Sequence, residues 1–214
     1  HGYVPRMRSA LQAMGYDENV FKVMLVQFVS MKRGGEKVSM STRSGEFETL
    51  ADVITEVGID ATRFFFLMRS SDTHLDFDLE LAKKASADNP VFYIQYAHAR
   101  ICSIFRTATE QGIKLHDSVD IDLSPLKNEE EFLMIKKILS FTEIIEKSAE
   151  LLEVHRVAFY LQDLVGTFHS YYSRNRIVSD DHALSFARLF LMNCLRITIC
   201  NGLSIMGVSS PERM

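Results

Sequence analysis

The stretch NPVFYIQYAHARICSI, Asn89 to Ile104, decides the reading of this chain. Pro90 suits a first helical turn and Asn89 a cap, because Pro lacks only an amide that would be unpaired there and Asn can accept from the next ones. Val91, Ile94, His98, Ile101 and Phe105 then recur at steps of three and four, which makes one apolar stripe. His98 falls inside that stripe and reads as a hydrogen-bonded core histidine. Tyr93, Tyr96 and Arg100 repeat with the same spacing but two residues out of phase, hence about 200° around the helix. A Tyr-Tyr-Arg row by itself reads first as packing for a neighbouring helix, and the other reading is a surface that holds single-stranded RNA by stacking and phosphate pairing.

Downstream, the same periodicity continues. A second helix is expected after Ser124-Pro125, with Met134, Ile138, Phe141, Ile145, Ala149 and Leu152 as its stripe. A third carries Val157, Leu161, Leu164, Phe168 and Tyr171, and beside it a row of Val165, His169, Tyr172 and Arg176. The fourth, from about Asp181, is apolar nearly all round, as in a helix buried by its neighbours. Residues 113–128 read as a loop. Glu129-Glu130-Glu131 opens the second helix, favours its dipole and reads as a solvated N-terminus. The C-terminal half is therefore a helix bundle.

Upstream, the first 85 residues are mixed. Pro5–Met14 reads as a short helix ending at Gly15, Phe21–Val29 as a buried strand, and Lys37–Met40 as a second short strand. Ser41–Glu46 is a small polar loop. Thr49 caps a helix through Val57, stopped by Gly58, and Asp60 is expected to cap Ala61–Met68. A boundary near residue 85 follows from the change of pattern.

Composition limits the function classes. The 214 residues are 47% hydrophobic and 24% charged, which excludes global disorder. The net charge of −4 argues against a strongly basic nucleic-acid surface, but it is unevenly spread. Residues 117–153 hold ten acidic and four basic residues, and the rest of the chain carries a net +2. No apolar run reaches the ~18 residues of a membrane span. His1-Gly2-Tyr3 opens no secretory signal and lacks an initiator Met, so a fragment is the expectation. Cys102, Cys194 and Cys200 sit in apolar helical settings, as free thiols of a reducing cytoplasm do. No metal-ligand spacing occurs.

Six segments together resemble arginyl-tRNA synthetases. NPVFYIQYAHARICSI resembles the start of their anticodon-binding, or DALR, domain. HGYVPRM (His1–Met7) is similar to a segment late in the class I catalytic domain, VSMSTRSGEF (Val38–Phe47) to the KMSKS loop, and Asp60–Lys84 to the stem that follows it. FHSYYSRNRI (Phe168–Ile177) and NGLSIMGVSSPERM (Asn201–Met214) are similar to the family's later stretches. The order is the family's, across essentially the whole chain.

The resemblance implies a mainly α fold: a helical-bundle anticodon-binding domain preceded by a small α/β remnant of a Rossmann-type catalytic domain. Its divisions would be 1–47 (catalytic tail with the KMSKS-like loop), 48–85 (stem) and 86–214 (DALR domain). The intact class I enzyme would attach arginine to arginine tRNA through an arginyl-adenylate, with ATP and Mg2+ as substrate, in the cytoplasm, as a monomer, without DNA or membrane partners. The HIGH-type motif is not found here, so this portion alone is expected to be inactive. Met40, Ser41 and Arg43 fit the KMSKS pattern and would face the pyrophosphate. Its lysine positions read Ser39 and Thr42, and Lys37 and Arg33 are further candidate cations. His1 and Gly2 would approach the ATP adenosine. Tyr93, Tyr96, Tyr172 and Met214, with Arg100, His169 and Arg176 as neighbours, would face the anticodon loop. The alternative is a helical protein-interaction module without RNA binding, using the acidic 117–153 segment.

Overall fold

The computed structural model describes residues 2–38, 48–113 and 121–214. Helix α1 (Val4–Ala13) opens the chain, with Pro5 in its first turn. A three-stranded sheet follows, built from β1 (Val29–Arg33), β2 (Glu36–Lys37) and β3 (Leu75–Asp78) in the order β2-β1-β3. β1 pairs antiparallel with β2 across the Gly34-Gly35 turn and parallel with β3, in the register Val29 to Leu75 and Met31 to Phe77. Between β2 and β3 lie α2 (Leu50–Val57) and α3 (Ile59–Leu67); α4 (Leu79–Lys83) follows β3.

Local chemistry accounts for the helix ends. Thr49 and Asp52 form a reciprocal capping box at the start of α2, and Gly58, at φ +86°, ends it where a side chain would be strained. The bundle consists of α5 (Pro90–Glu110), α6 (Glu129–Leu139), α7 (Phe141–Leu151), α8 (His155–Arg174) and α9 (His182–Ile205). Asn89 caps α5 through Oδ1, while its Nδ2 donates to the carbonyls of Ala82 and Lys84, both at 3.0 Å. Those bonds tie α5 to the end of α4. Apolar packing is continuous from Met31, Phe64 and Phe77 through Ile94 and Ile101 to Leu161, Leu164, Leu195 and Leu203.

Helix α9 has the length and apolar composition of a membrane span. Its Ala187, Leu189, Met192, Leu195 and Ile199 are all 0% exposed and packed within the bundle, so it is a core helix.

Several expectations need correction. Phe21–Phe28 forms no strand; the strand begins at Val29, and Val26 and Phe28 are exposed. A strand buried on both faces needs neighbours on both. Here Gln27 makes one backbone bond, to Ser71, and Val23, Met24, Leu25, Val26 and Phe28 are all exposed.

The helix expected after Pro125 is two helices, broken at Ser140. The Lys137 carbonyl accepts from both Ser140 Oγ and Tyr160 Oη, at 2.8 Å each, and these hydroxyls compete with the amide that would continue the helix. Leu152, expected on the stripe, adopts φ +57° and ends α7. Asp60 does not cap; α3 already starts at Ile59. Finally, Glu131 is not solvated but 1% exposed.

Candidate nucleic-acid interface

Helices α5 and α8 pack side by side, and the two polar-aromatic rows meet at their contact. Tyr93 lies 4.5 Å from the His169 ring, and Tyr96 stacks on His169 at 5.9 Å with an interplanar angle of 17°. The Arg100 guanidinium sits over both Tyr96 (5.1 Å) and Tyr172 (5.3 Å), and donates to the Tyr96 hydroxyl. Each cation–ring contact is favourable because the ring face is negative. The row is thus a helix contact and a partly exposed aromatic shelf at once: Tyr93, Tyr96, Arg100, His169 and Tyr172 are each half-buried.

Burial lowers the His169 pKa from the ordinary 6.5, a backbone hydrogen bond at Tyr93 opposes this, and the nearby Arg100 charge adds to the lowering. Burial raises the Tyr93 hydroxyl. Bonding to Tyr96 raises Arg100, which stays a permanent cation.

Beside the shelf opens a groove of about 760 Å³, lined by Arg100, Ile104, Tyr172, Arg176, Ser179 and His182 among others. Arg176 is exposed here. The groove therefore joins three of the sequence-derived candidates, Arg100, Tyr172 and Arg176, and the shelf adds Tyr93, Tyr96 and His169.

Met214 is not brought to this site. The C-terminal tail runs along α5 on the opposite side: Gln95 Nε2 donates to the Ser209 carbonyl (2.9 Å), His98 Nδ1 to that of Pro211 (3.0 Å) and Arg106 to that of Glu212 (3.2 Å). Gln95 and His98 each follow Tyr93 and Tyr96 by two residues, about 200° around the helix. Met214 is exposed at the end of that tail. Gly2 lies in the exposed turn before α1. His1, Met40, Ser41 and Arg43, with Ser39 and Thr42, lie outside the described residues. Of the other candidate cations, Lys37 is exposed, whereas Arg33 is paired with Glu56 (2.6 Å) and Glu48 (3.0 Å). Hydrogen bonds from Arg33 and Lys83 pull the Glu56 carboxyl down to about 2.

Residues 94–214 match the DALR anticodon binding domain family. The chain belongs to this family. The whole chain is 52% identical over 214 residues to an arginine–tRNA ligase of Syntrophotalea carbinolica and 54% over 216 residues to one of Geobacter sp. strain M21. In both cases it spans 39% of the relative's length. A putative arginyl-tRNA synthetase from Campylobacter jejuni superposes with a TM-score of 0.88 at 33% identity, covering 100% of this chain and 46% of that one. The Thermus thermophilus arginyl-tRNA synthetase gives 0.63 at 27% identity, over 81% of this chain and 29% of that one.

Two polar networks escaped the sequence reading. In the first, the Glu131 carboxylate accepts from Tyr171 Oη (2.6 Å), Arg188 Nε (2.9 Å) and the Asn128 amide (3.1 Å). Glu130 is paired with Arg174. These two acids are turned to the bundle's own arginines. The available signal was Arg188, one of two arginines within a largely apolar helix.

In the second network, Asp60 at the start of α3 accepts from Gln95 Nε2 (2.8 Å), the Ser209 amide (3.1 Å) and the Ser209 hydroxyl. It clamps the tail between α3 and α5. Asp60→Ala is expected to cost about 1.5–3 kcal/mol, the range of bonds to a charged acceptor. Urea unfolding at pH 7 measures this; an unchanged midpoint would show that the clamp contributes nothing.

Proposed function

We propose that this chain is the C-terminal portion of an arginine–tRNA ligase and that its DALR domain holds the anticodon loop of arginine tRNA on the shelf of α5 and α8. The observation that carries this reading is the convergence of Tyr93, Tyr96, Arg100, His169 and Tyr172 beside a groove that Arg100, Tyr172 and Arg176 share. Unpaired bases offer flat faces for the tyrosines, and the arginines supply fixed charge for phosphates. Such a surface works despite a net charge of −4, because along the groove Arg100 and Arg176 outnumber the single acid, Asp180.

On this reading residues 1–47 close the catalytic domain, 48–85 form the stem and 86–214 bind the anticodon. The intact cytoplasmic enzyme would use ATP, with Mg2+, to make arginyl-adenylate and transfer arginine to its tRNA. His1, Gly2, Met40, Ser41 and Arg43 would lie on the ATP side. Among the described residues no group of three His, Cys, Asp or Glu converges on one point, so no residue is assigned to the ion. Met214 would reach RNA only beside the opposite face of α5.

Filter binding at fixed salt tests the proposal. The chain is expected to retain arginine tRNA over the same tRNA with an exchanged anticodon, and its affinity is expected to fall linearly in log–log form with salt. Two or three neutralised phosphates correspond to a slope of about −1.4 to −2.1. Equal affinity for both tRNAs would sink the anticodon assignment. Arginine-dependent ATP–pyrophosphate exchange by this chain alone is expected to be undetectable.

A further inference from the structure

The segment 175–181 connects α8 to α9, carries Arg176 and forms one wall of the groove, yet it has no helix or strand of its own. Its backbone is held from behind. The Arg176 carbonyl accepts from Arg188 Nη1 at 2.7 Å, and the Ser179 amide donates to Ser185 Oγ at 2.9 Å, both from α9. Arg188 does not line the groove. Its Nε is bound to Glu131, which is 1% exposed, and its guanidinium lies over the Tyr171 ring at 5.8 Å.

A guanidinium is a rigid planar fork, so the two bonds fix the spacing between the Glu131 carboxylate on α6 and the Arg176 carbonyl. Glu131 is itself fixed by Tyr171 of α8 and by the first turn of α6. Three helices thereby locate one backbone oxygen of the groove wall. A lysine has a single nitrogen on a flexible stem and does not impose that spacing.

We propose that Arg188 is a positioning residue for the RNA groove: anchored by Glu131, it sets the backbone at Arg176 and so aims the Arg176 side chain at the ligand. This rests on the anticodon-loop reading above. It assigns Arg188 no contact with RNA.

The test uses the 214-residue chain and three variants: Arg188→Lys, the charge-free pair Glu131→Gln/Arg188→Met, and Arg176→Ala. The pair leaves no uncompensated buried charge if Arg188→Lys fails to fold. Amide hydrogen exchange across 175–181 is expected to rise in the Arg188 variants, while α8 keeps its protection. Arginine tRNA binding is expected to weaken about 3- to 10-fold, with the salt slope reduced by about 0.7, as for one lost phosphate contact. Adding Arg188→Lys to Arg176→Ala is expected to cause no further loss. Unchanged exchange in 175–181, or losses that simply add in that combination, would overturn the proposal. If Arg176→Ala leaves tRNA binding intact, the RNA reading of the groove fails, while the exchange comparison still decides whether Arg188 holds the segment.

Discussion

Replacing Tyr96 and Tyr172 together by alanine is expected to weaken arginine tRNA binding by one to two orders of magnitude or more. A base stacked on an aromatic ring is worth about 1–3 kcal/mol, and each 1.4 kcal/mol is tenfold in affinity. The two losses are not expected to add fully, because Arg100 sits over both rings and neighbours with a shared partner couple. The salt slope separates the contributions. Removing tyrosines takes away stacking and leaves the slope near its original value, whereas Arg100→Ala is expected to reduce it by about 0.7. Tyr96→Phe keeps the ring, loses the Arg100 bond, and should cost far less than Tyr96→Ala. All variants are compared at one salt concentration after circular dichroism confirms the fold. Undiminished affinity in the double variant would place the RNA elsewhere.

Glu131→Ala is expected to destabilise the chain by about 3–5 kcal/mol at pH 7, the cost of leaving one member of a buried pair uncompensated. Arg188, Tyr171 and the Asn128 amide all lose their acceptor at once. The pH dependence follows from the carboxyl. Burial pushes its pKa up, but bonds from Tyr171, Asn128 and Arg188 outweigh that and hold it below the ordinary 4.5. A carboxyl with a depressed folded pKa stabilises above its unfolded pKa and ceases to do so as pH falls through the folded one. The gap between the parent chain and Glu131→Ala in urea unfolding should therefore be full at neutral pH and close on acidification below about 4.5. A gap independent of pH would mean that Glu131 stabilises by packing and not by charge.

These two sites differ in how far the residues announced them. The Tyr93, Tyr96 and Arg100 row was visible from spacing alone, as was the His169, Tyr172 and Arg176 row, because helical periodicity converts sequence distance into a face. That the two faces touch depends on the packing of α5 against α8, which no spacing within either helix encodes. Glu131 illustrates the opposite case. Three consecutive glutamates before an apolar run resemble a solvated helix start, and two of them behave as polar end groups. The third is buried because Tyr171 and Arg188, forty or more residues away, converge on it.

The break at Ser140 was hidden for a similar reason. Its apolar stripe runs on through Phe141 and Ile145, but Tyr160 of α8 takes the Lys137 carbonyl. Phe21–Phe28 misled in the other direction, since a run of Val, Phe and Leu specifies a strand only where something pairs with it.

Local order in the residues was thus enough for the mainly α bundle, the helix starts at Thr49, Asn89 and Asp181, the apolar faces, and the resemblance that led to the DALR family. These rest on period, capping and side-chain shape, which act within a few residues. The meeting of the two aromatic rows, the burial of Glu131, the Asp60 clamp on Ser209 and the course of the tail to Met214 on the far side of α5 came from packing. Each joins groups separated by between 35 and 149 positions, and only the close approach of helices in three dimensions brings their charges and rings within bonding distance.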